Sequence, residues 1–345
     1  MSKVIDKEWE ILRSLPSLEV WTKAWENSGI ESSFFNHPSW LNHWVKSFNP
    51  QLRIWHSLRE NVYIPLHIKR SWGLRRLFSV GDVPCLYDEM QWPAINGDTG
   101  ESFIASLGKE KWDVVQLRFW GNVEQANELV ELAKNVGWAV DLTQEEGIPW
   151  VNLKEKDTSI SRKLAEDVKL NVAKLTKNYG PVTLVKASRE DWDEFINAYR
   201  DLWRSFGAQP LISRSKSLSD FFKTINEDYV SFYKLNASNE TIAWHFGYKF
   251  GKEYIYEFPT YNNKYAKYSP GKVLLWFLLE KARKDGYERF SLGRGIEPYK
   301  LRWTKKVKPL VSISIYRKKY LSKLDPIRIR KKLVVVYKKL TGRKR

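Results

Sequence analysis

The stretch from Val230 to Lys284 constrains the fold most. Val230–Asn236, Thr241–Phe250 and Glu253–Phe258 are three strand-like runs joined by short polar turns. A helical run over Pro270–Lys284 follows and stops at Asp285-Gly286, and strands Arg289–Leu292 and Leu310–Tyr316 come after it. This order predicts an α/β (α+β) unit, a mixed central sheet flanked by helices. The same unit begins after Trp150 with a helical stripe, Ile160, Leu164, Val168, Val172 and Leu175, closed by Gly180-Pro181. Strand Val182–Lys186 and helices over Asp191–Phe206 and Leu218–Glu227 complete it.

A similar order occurs earlier in the chain. Residues 8–30 read as a helical opening, and a short helix ends near Phe48. Leu52–Leu58 and Val62–Ile68, split by Arg59-Glu60-Asn61, form a hairpin signal. Strands over Arg75–Val80 and Asp113–Phe119 flank a Gly/Pro/Asp-rich loop from Gly81 to Gly100. A helix over Val123–Asn135 and a strand over Trp138–Leu142 follow. The recurrence hints at duplication of one α/β unit, and 345 residues suit two domains. The expected boundaries are 1–150, 151–316 and a tail, 317–345.

Composition removes several classes. One cysteine, Cys85, excludes an internal disulfide, and no Cys/His cluster has structural-zinc spacing, so no metal is expected. The apolar runs Val273–Leu279 and Leu333–Tyr337 are far short of a membrane span. The first ten residues carry Asp6, Glu8 and Glu10 and lack the apolar core of a signal peptide, so a cytoplasmic location is expected. The net charge of +18 is uneven: residues 317–345 hold thirteen Lys/Arg against Asp325 alone. The body is mildly basic, and the tail holds most of the field.

Three segments carry candidate chemistry. At Ser269-Pro270-Gly271-Lys272, Ser269 suits an N-cap and Pro270 the first helical position. Gly271 leaves the amides uncovered, Lys272 adds a positive charge, and no acid occurs from Ser269 to Leu279. Such a first turn is suited to a phosphate or pyrophosphate, and equally to an ordinary Ser-Pro helix start. On the strand Thr241–Phe250, alternation places His245 between Ala243 and Gly247, on a face with room for a ligand. On the next strand, Tyr254, Tyr256 and Phe258 are expected on one side and Ile255 and Glu257 on the other, so His245 and Glu257 could share a surface. A strand histidine is also a common structural residue. In Ser291–Trp303, glycines flank Arg294, and Glu297, Tyr299 and Lys300 crowd a hinged loop that suits a substrate edge or a solvated connection.

Together these segments, PTYNNKYAKYSPGKVLL (259–275) and DGYERFSLGRGIEPYKLRW (285–303), resemble the signature of the CelD/BioF-like acetyltransferase family of the GNAT superfamily. The upstream FFNHPSWLNHW (34–44) and the hairpin ending in Ile64-Pro65-Leu66 resemble that family's N-terminal half. The resemblance covers roughly residues 34–316. It implies tandem GNAT-like units related to Fem peptidyltransferases, the first degenerate, with acetyl-CoA or another acyl-CoA as donor. By position it makes Ser269, Pro270, Gly271 and Lys272 the pyrophosphate loop, and His245 a family histidine. It places Tyr261, Glu297, Tyr299 and Lys300 on the acceptor side. Ser291 stands where the family usually has an acid. The helical arm of Fem enzymes has no room in Gly207–Leu218.

The expected mechanism makes His245 the general base, assisted by Glu257 or by water. Amides around Phe258 polarise the thioester, and Tyr261 or Tyr299 returns a proton to sulfur. Cys85 is the weaker alternative nucleophile. Arg294, Glu297 and Lys300 are expected to bind substrate. The tail places Ile329, Leu333, Val336 and Leu340 on one helical stripe amid basic residues, a pattern for an anionic membrane surface, with nucleic acid as the competing partner. An amino sugar in a cell-surface polysaccharide or lipid-linked glycan is the coherent acceptor. A Fem-like aminoacyl transferase and a non-catalytic membrane-surface scaffold are the other readings.

Overall fold

A computed structural model describes residues 8–29, 33–82, 84, 87–93, 97–154, 160–330 and 333. Cys85 and most of the predicted tail helix lie outside the described residues. The chain divides into two compact units, Met1–Glu145 with Pro309–Arg345, and Glu146–Lys308. The first contains β1 (Trp9–Leu12), α1 (Leu18–Glu26), α2 (Pro38–Phe48), β2 (Gln51–Ser57), β3 (Val62–Ser71), β4 (Leu74–Ser79), α3 (Gly97–Lys109), β5 (Val114–Trp120) and α4 (Val123–Asn135). β6 (Ala139–Asn152) leads into the second, with α5 (Arg162–Tyr179), β7 (Val182–Lys186), α6 (Trp192–Ser205), α7 (Lys216–Lys223), β8 (Val230–Ala237) and β9 (Glu240–Phe250). After these come β10 (Glu253–Tyr261), α8 (Pro270–Lys284), β11 (Arg289–Ser291) and β12 (Val307–Tyr316).

Strand pairing shows the duplication. In unit 1, β1, β2, β3 and β4 pair antiparallel in turn, β4 pairs β5 in parallel, and β5 pairs β12 antiparallel. In unit 2, β7, β8, β9 and β10 pair antiparallel in turn, β10 pairs β11 in parallel, and β11 pairs the end of β6 antiparallel. The orders match position by position. The last strand differs from its expected place: residues 311–316 pair with β5, so the end of β12 closes the sheet of unit 1 rather than extending the second domain to residue 316.

Two elements correct the sequence reading. The expected helix over residues 8–30 starts as an edge strand, because Trp9–Leu12 pairs with β2 before Pro16 interrupts the chain, and α1 begins only at Leu18, capped by the Ser17 side chain. The loop expected up to Gly100 gives way at Gly97 to α3, which buries Phe103, Ile104 and Leu107.

Both sheets contain a parallel pair that stops early. In unit 1, β4 and β5 pair only from Arg76–Val114 to Phe78–Gln116. Beyond that point Met90 takes β4's place beside β5. It forms a parallel bridge with Trp120, its N–H donates to the Phe119 carbonyl (2.9 Å), and its carbonyl accepts from Gly121 N–H (3.0 Å). The gap is filled by the chain itself. In unit 2, β10 and β11 pair from Glu253–Arg289 to Ile255–Ser291, and β10 then runs on alone on that side to Tyr261.

The core of unit 2 has two characters. Leu164, Val168 and Leu175 of α5 pack with Val273, Leu274 and Leu278 of α8 against Tyr254 and Tyr256. A second, aromatic layer joins Trp192, Phe195 and Tyr199 of α6 and Phe222 of α7 to Phe232, Phe246 and Phe258.

Candidate functional site

The strand β10 carries a bulge. Its register with β9 runs Ile255–Tyr248 and then Phe258–Phe246, so Tyr256 and Glu257 stand opposite Gly247 alone. One extra residue reverses the parity of everything after it. Tyr254 and Tyr256 therefore face α5 and α8, whereas Phe258 joins the aromatic layer beside Phe222 and Tyr199. The expected common face of Tyr254, Tyr256 and Phe258 does not form. Gly247 is required here: a Cβ would lie 2.3 Å from the Ile255 carbonyl oxygen and 2.6 Å from His245 Nε2.

His245 is fully buried. The room beside it, expected for a ligand, is occupied by its own ring, which lies over Gly247 and stacks on Tyr256 (4.8 Å between centroids). Nε2 accepts from the Glu257 N–H of the bulge (3.4 Å), and Nδ1 lies 3.5 Å from the Tyr254 hydroxyl, which is bonded to Ser231. Burial lowers its pKa to about 3. A ring that stays neutral and enclosed is a poor base near neutral pH. Glu257 does meet His245, but through its backbone; its carboxylate raises the pKa values of Tyr199 and Tyr299, behind burial as the main cause.

The amides around Phe258 also depart from expectation. Asn262 N–H donates to the Ile242 carbonyl of β9 (3.0 Å), so by alternation the N–H groups of Thr260 and Phe258 point to β9 as well. On the open side Pro259 has no N–H to offer. Tyr261 is the residue of this stretch whose N–H faces outward.

A pocket of about 350 Å³ lies where β10 runs on without β11. Tyr256, Pro259, Thr260 and Tyr261 form its strand side, Ser269, Pro270, Gly271 and Lys272 its helix side, and Tyr299, Arg302 and Trp303 its loop side. Leu164 and Leu202 add apolar wall from α5 and α6. Of the predicted residues the pocket gathers Tyr261, the Ser269–Lys272 turn and Tyr299. His245, Glu257, Phe258, Arg294, Glu297 and Lys300 are not in its lining. Arg302 and Trp303, which close the same loop motif, join the lining without a sequence signal of their own.

The start of α8 has no side-chain cap. Ser269 sits at φ 50° and ψ 55°, in the left-handed region, and its side chain caps nothing. Its carbonyl accepts from Lys272 N–H (3.0 Å) and Val273 N–H (3.2 Å). Gly271 has no side-chain cap, and a Cβ there would meet only the Tyr261 ring at 3.6 Å. Lys272 Nζ is 2.6 Å from Asp167 Oδ2 of α5, and Arg302 lies 3.6 Å from the same oxygen. The Lys272 hydrogen bond is the main influence holding the Asp167 carboxyl below its usual range. Two cations share one carboxylate, which leaves net positive charge at the positive end of a helix. This donor set fits the diphosphate of an acyl-CoA.

Lys300 is buried and turned inward. Its Nζ donates to the carbonyls of Gly293 (3.2 Å) and Arg294 (2.8 Å) and pairs with Glu297 (3.0 Å). This bonding holds the loop in shape, and the ammonium is not presented to a ligand. Ser291, where the sequence resemblance leads one to expect an acid, accepts from Gly293 N–H (3.3 Å).

Residues 162–301 match the sequence model of a family described as "Acetyltransferase (GNAT) domain". No curated protein matches the chain. Among solved structures, FemX is similar at a TM-score of 0.62 and 11% identity, covering 92% of this chain and 99% of that one. A C-terminal domain assigned to a lysylphosphatidylglycerol synthetase from Agrobacterium fabrum is similar at 0.57 and 12% identity, covering 91% and 95%. A tandem GNAT protein from the clavulanic acid biosynthesis pathway is similar at 0.50 and 10% identity, covering 89% and 97%. At these identities the likeness is one of fold. The chain is an α/β protein of tandem GNAT-like units, with a GNAT acetyltransferase match in the second.

Proposed function

We propose that unit 2 is an acyl-CoA-dependent N-acyltransferase of the CelD/BioF-like kind. Its proposed acceptor is an amino group on a sugar of a cell-surface polysaccharide or lipid-linked precursor. The observation that carries this reading is the pocket at the β10/β11 divergence, open beside an uncapped, cation-bearing helix start. The donor supplies a thioester, an acyl carbon already activated toward an amine. Gly271 N–H and the Lys272 and Arg302 side chains hold its diphosphate. Leu164, Leu202 and Trp303 shield the pocket from water.

Glu257 is assigned as the base in place of His245. Its carboxylate, outside the pocket lining, receives the amine proton through a water. As the new C–N bond forms and the C–S bond breaks, Tyr299 gives its proton to the departing sulfur. Tyr299 lines the pocket with 44% of its surface exposed, and a tyrosine hydroxyl keeps its proton near neutral pH. It therefore begins the reaction protonated. Tyr261 N–H is the backbone donor directed toward the thioester side. The basic tail supports an anionic membrane surface as the place where a lipid-linked acceptor is met.

A Fem-like aminoacyl transfer is the second reading, favoured by the fold likeness to FemX and by the share of Lys272 charge taken by Asp167. Between α6 and α7 the chain has only one short 3₁₀ turn, Leu211–Ser213. Thermal unfolding separates the readings, because a ligand that binds only the folded state raises its midpoint. Acetyl-CoA at about 100 times its Kd should add about 2.7 kcal/mol, a shift of several degrees, whereas charged tRNA should add nothing. Stabilisation by charged tRNA alone would reverse the assignment.

A further inference from the structure

The hairpin joining β3 to β4 has an unusual tip. Trp72 lies at φ 54° and Gly73 at φ 77°, and Trp72 is 67% exposed. A two-residue turn with both φ values positive normally takes Asn, Asp or Gly first. A bulky residue held there against its backbone preference, with its ring in solvent, indicates a use outside the fold.

That tip is fastened to the root of the basic tail, within unit 1. Arg76 is completely buried, and its guanidinium donates to both carboxylate oxygens of Asp325 (3.0 and 2.6 Å). Its Nε lies 3.4 Å from the Ser71 carbonyl, next to Trp72. Tyr316 donates its hydroxyl to Asp325 (3.1 Å). Asp325 in turn accepts from Ile327 N–H (2.9 Å), starting the helical segment 326–330. The neighbours of this clasp are turned to solvent: Leu324 is 65% exposed and Tyr320 54%. Lys69, which is paired across the sheet with Arg76, is exposed, as are Lys319 and Lys323 beside Tyr320 and Leu324 in the chain, and none of the three has a carboxylate partner among the described residues. The nearby acid, Asp325, is used inside.

We propose that Trp72, Tyr320 and Leu324 form a preset contact for an anionic bilayer, with Lys69, Lys319 and Lys323 meeting the headgroups. Exposed aromatic and leucine side chains flanked by cations match the apolar boundary and negative surface of such a bilayer. The contact rests on the reading that the tail seeks a membrane, and adds to it a second point, outside the tail, that fixes how the chain docks. The buried Arg76–Asp325 pair sets the geometry of both.

The test is co-sedimentation of the full chain with vesicles of phosphatidylcholine containing phosphatidylglycerol, and with phosphatidylcholine alone. Trp72→Asn is the informative variant, because asparagine suits the left-handed tip and leaves the fold intact. The proposal expects binding to the anionic vesicles only, reduced at least about fivefold by Trp72→Asn. Equal binding by wild type and Trp72→Asn would overturn the proposal and leave the tail reading standing. No binding by the wild type, or a preference for single-stranded RNA that Trp72→Asn does not alter, would overturn both.

Discussion

At the scale of single residues, the assignment turns on two neighbours that sequence treated as partners. His245 was legible as a strand residue between small neighbours, and those neighbours do make room, but for its own ring. Nothing in a one-dimensional pattern distinguishes space for a ligand from space for the side chain itself. Glu257 was legible only as an assistant, because the bulge that sets it with Tyr256 opposite Gly247 is invisible to strict alternation. The two residues make different predictions. Glu257→Gln should lower kcat by about 10²–10⁴-fold and leave acetyl-CoA affinity nearly unchanged. Steady-state rates combined with equilibrium binding check this, and full turnover in Glu257→Gln would remove it from the mechanism. Lys300 gives a similar lesson. Its place in a crowded loop was evident, but its inward bonding to Gly293 and Arg294 was not.

At the scale of elements, most of unit 2 was readable, because its helices and strands have clear periods and strong stop signals. α5 ends at Gly180 and α8 begins at Pro270, both as composition required. The misses have local physical causes. β1 is four residues long and owes its form to pairing with β2, which no window of its own sequence contains. α3 begins in a glycine-rich stretch, where propensity favours a loop and only burial of Phe103, Ile104 and Leu107 favours a helix. β6 continues through Glu145-Glu146-Gly147 because Gly147 lies against the Lys308 backbone, where a Cβ would come within 2.3 Å. The start of α8 shows the opposite case. Its missing acids and its Pro-Gly step were legible, and the structure adds that Ser269 leaves its side chain out of the cap.

At the scale of the molecule, duplication has produced two sheets of one plan with different fates. Met90 fills the diverging strands of unit 1, while those of unit 2 leave a pocket. The whole chain should also be acid-sensitive. Burial lowers His67 and His37 to about 4 and His245 to about 3, against about 6.5 in an unfolded chain. Below about pH 6.5 the unfolded chain takes up protons that the folded one refuses, so stability falls as pH drops from there toward 4 and 3. The slope is on the order of 1 kcal/mol per pH unit for each histidine. Among the described residues His67 Nε2 has no hydrogen-bond partner, and its ring packs on Phe78 and Trp44, so His67→Phe should flatten the acid limb without loss at neutral pH. Urea midpoints between pH 7 and 4.5 check this; parallel curves for the two proteins would refute it.

The most direct measurement is calorimetric titration of acetyl-CoA into the wild type and Gly271→Glu. An acid in the first turn of α8 suits the helix dipole, and its Cβ meets only the Tyr261 ring, so the variant should fold as well as the parent. Its carboxylate would nonetheless occupy and repel the diphosphate position. We expect one site per chain in the wild type, since unit 1 is filled by Met90, and at least about a tenfold weaker site in Gly271→Glu. Two sites in the wild type, or equal affinity in a folded Gly271→Glu, would contradict a diphosphate held at the start of α8.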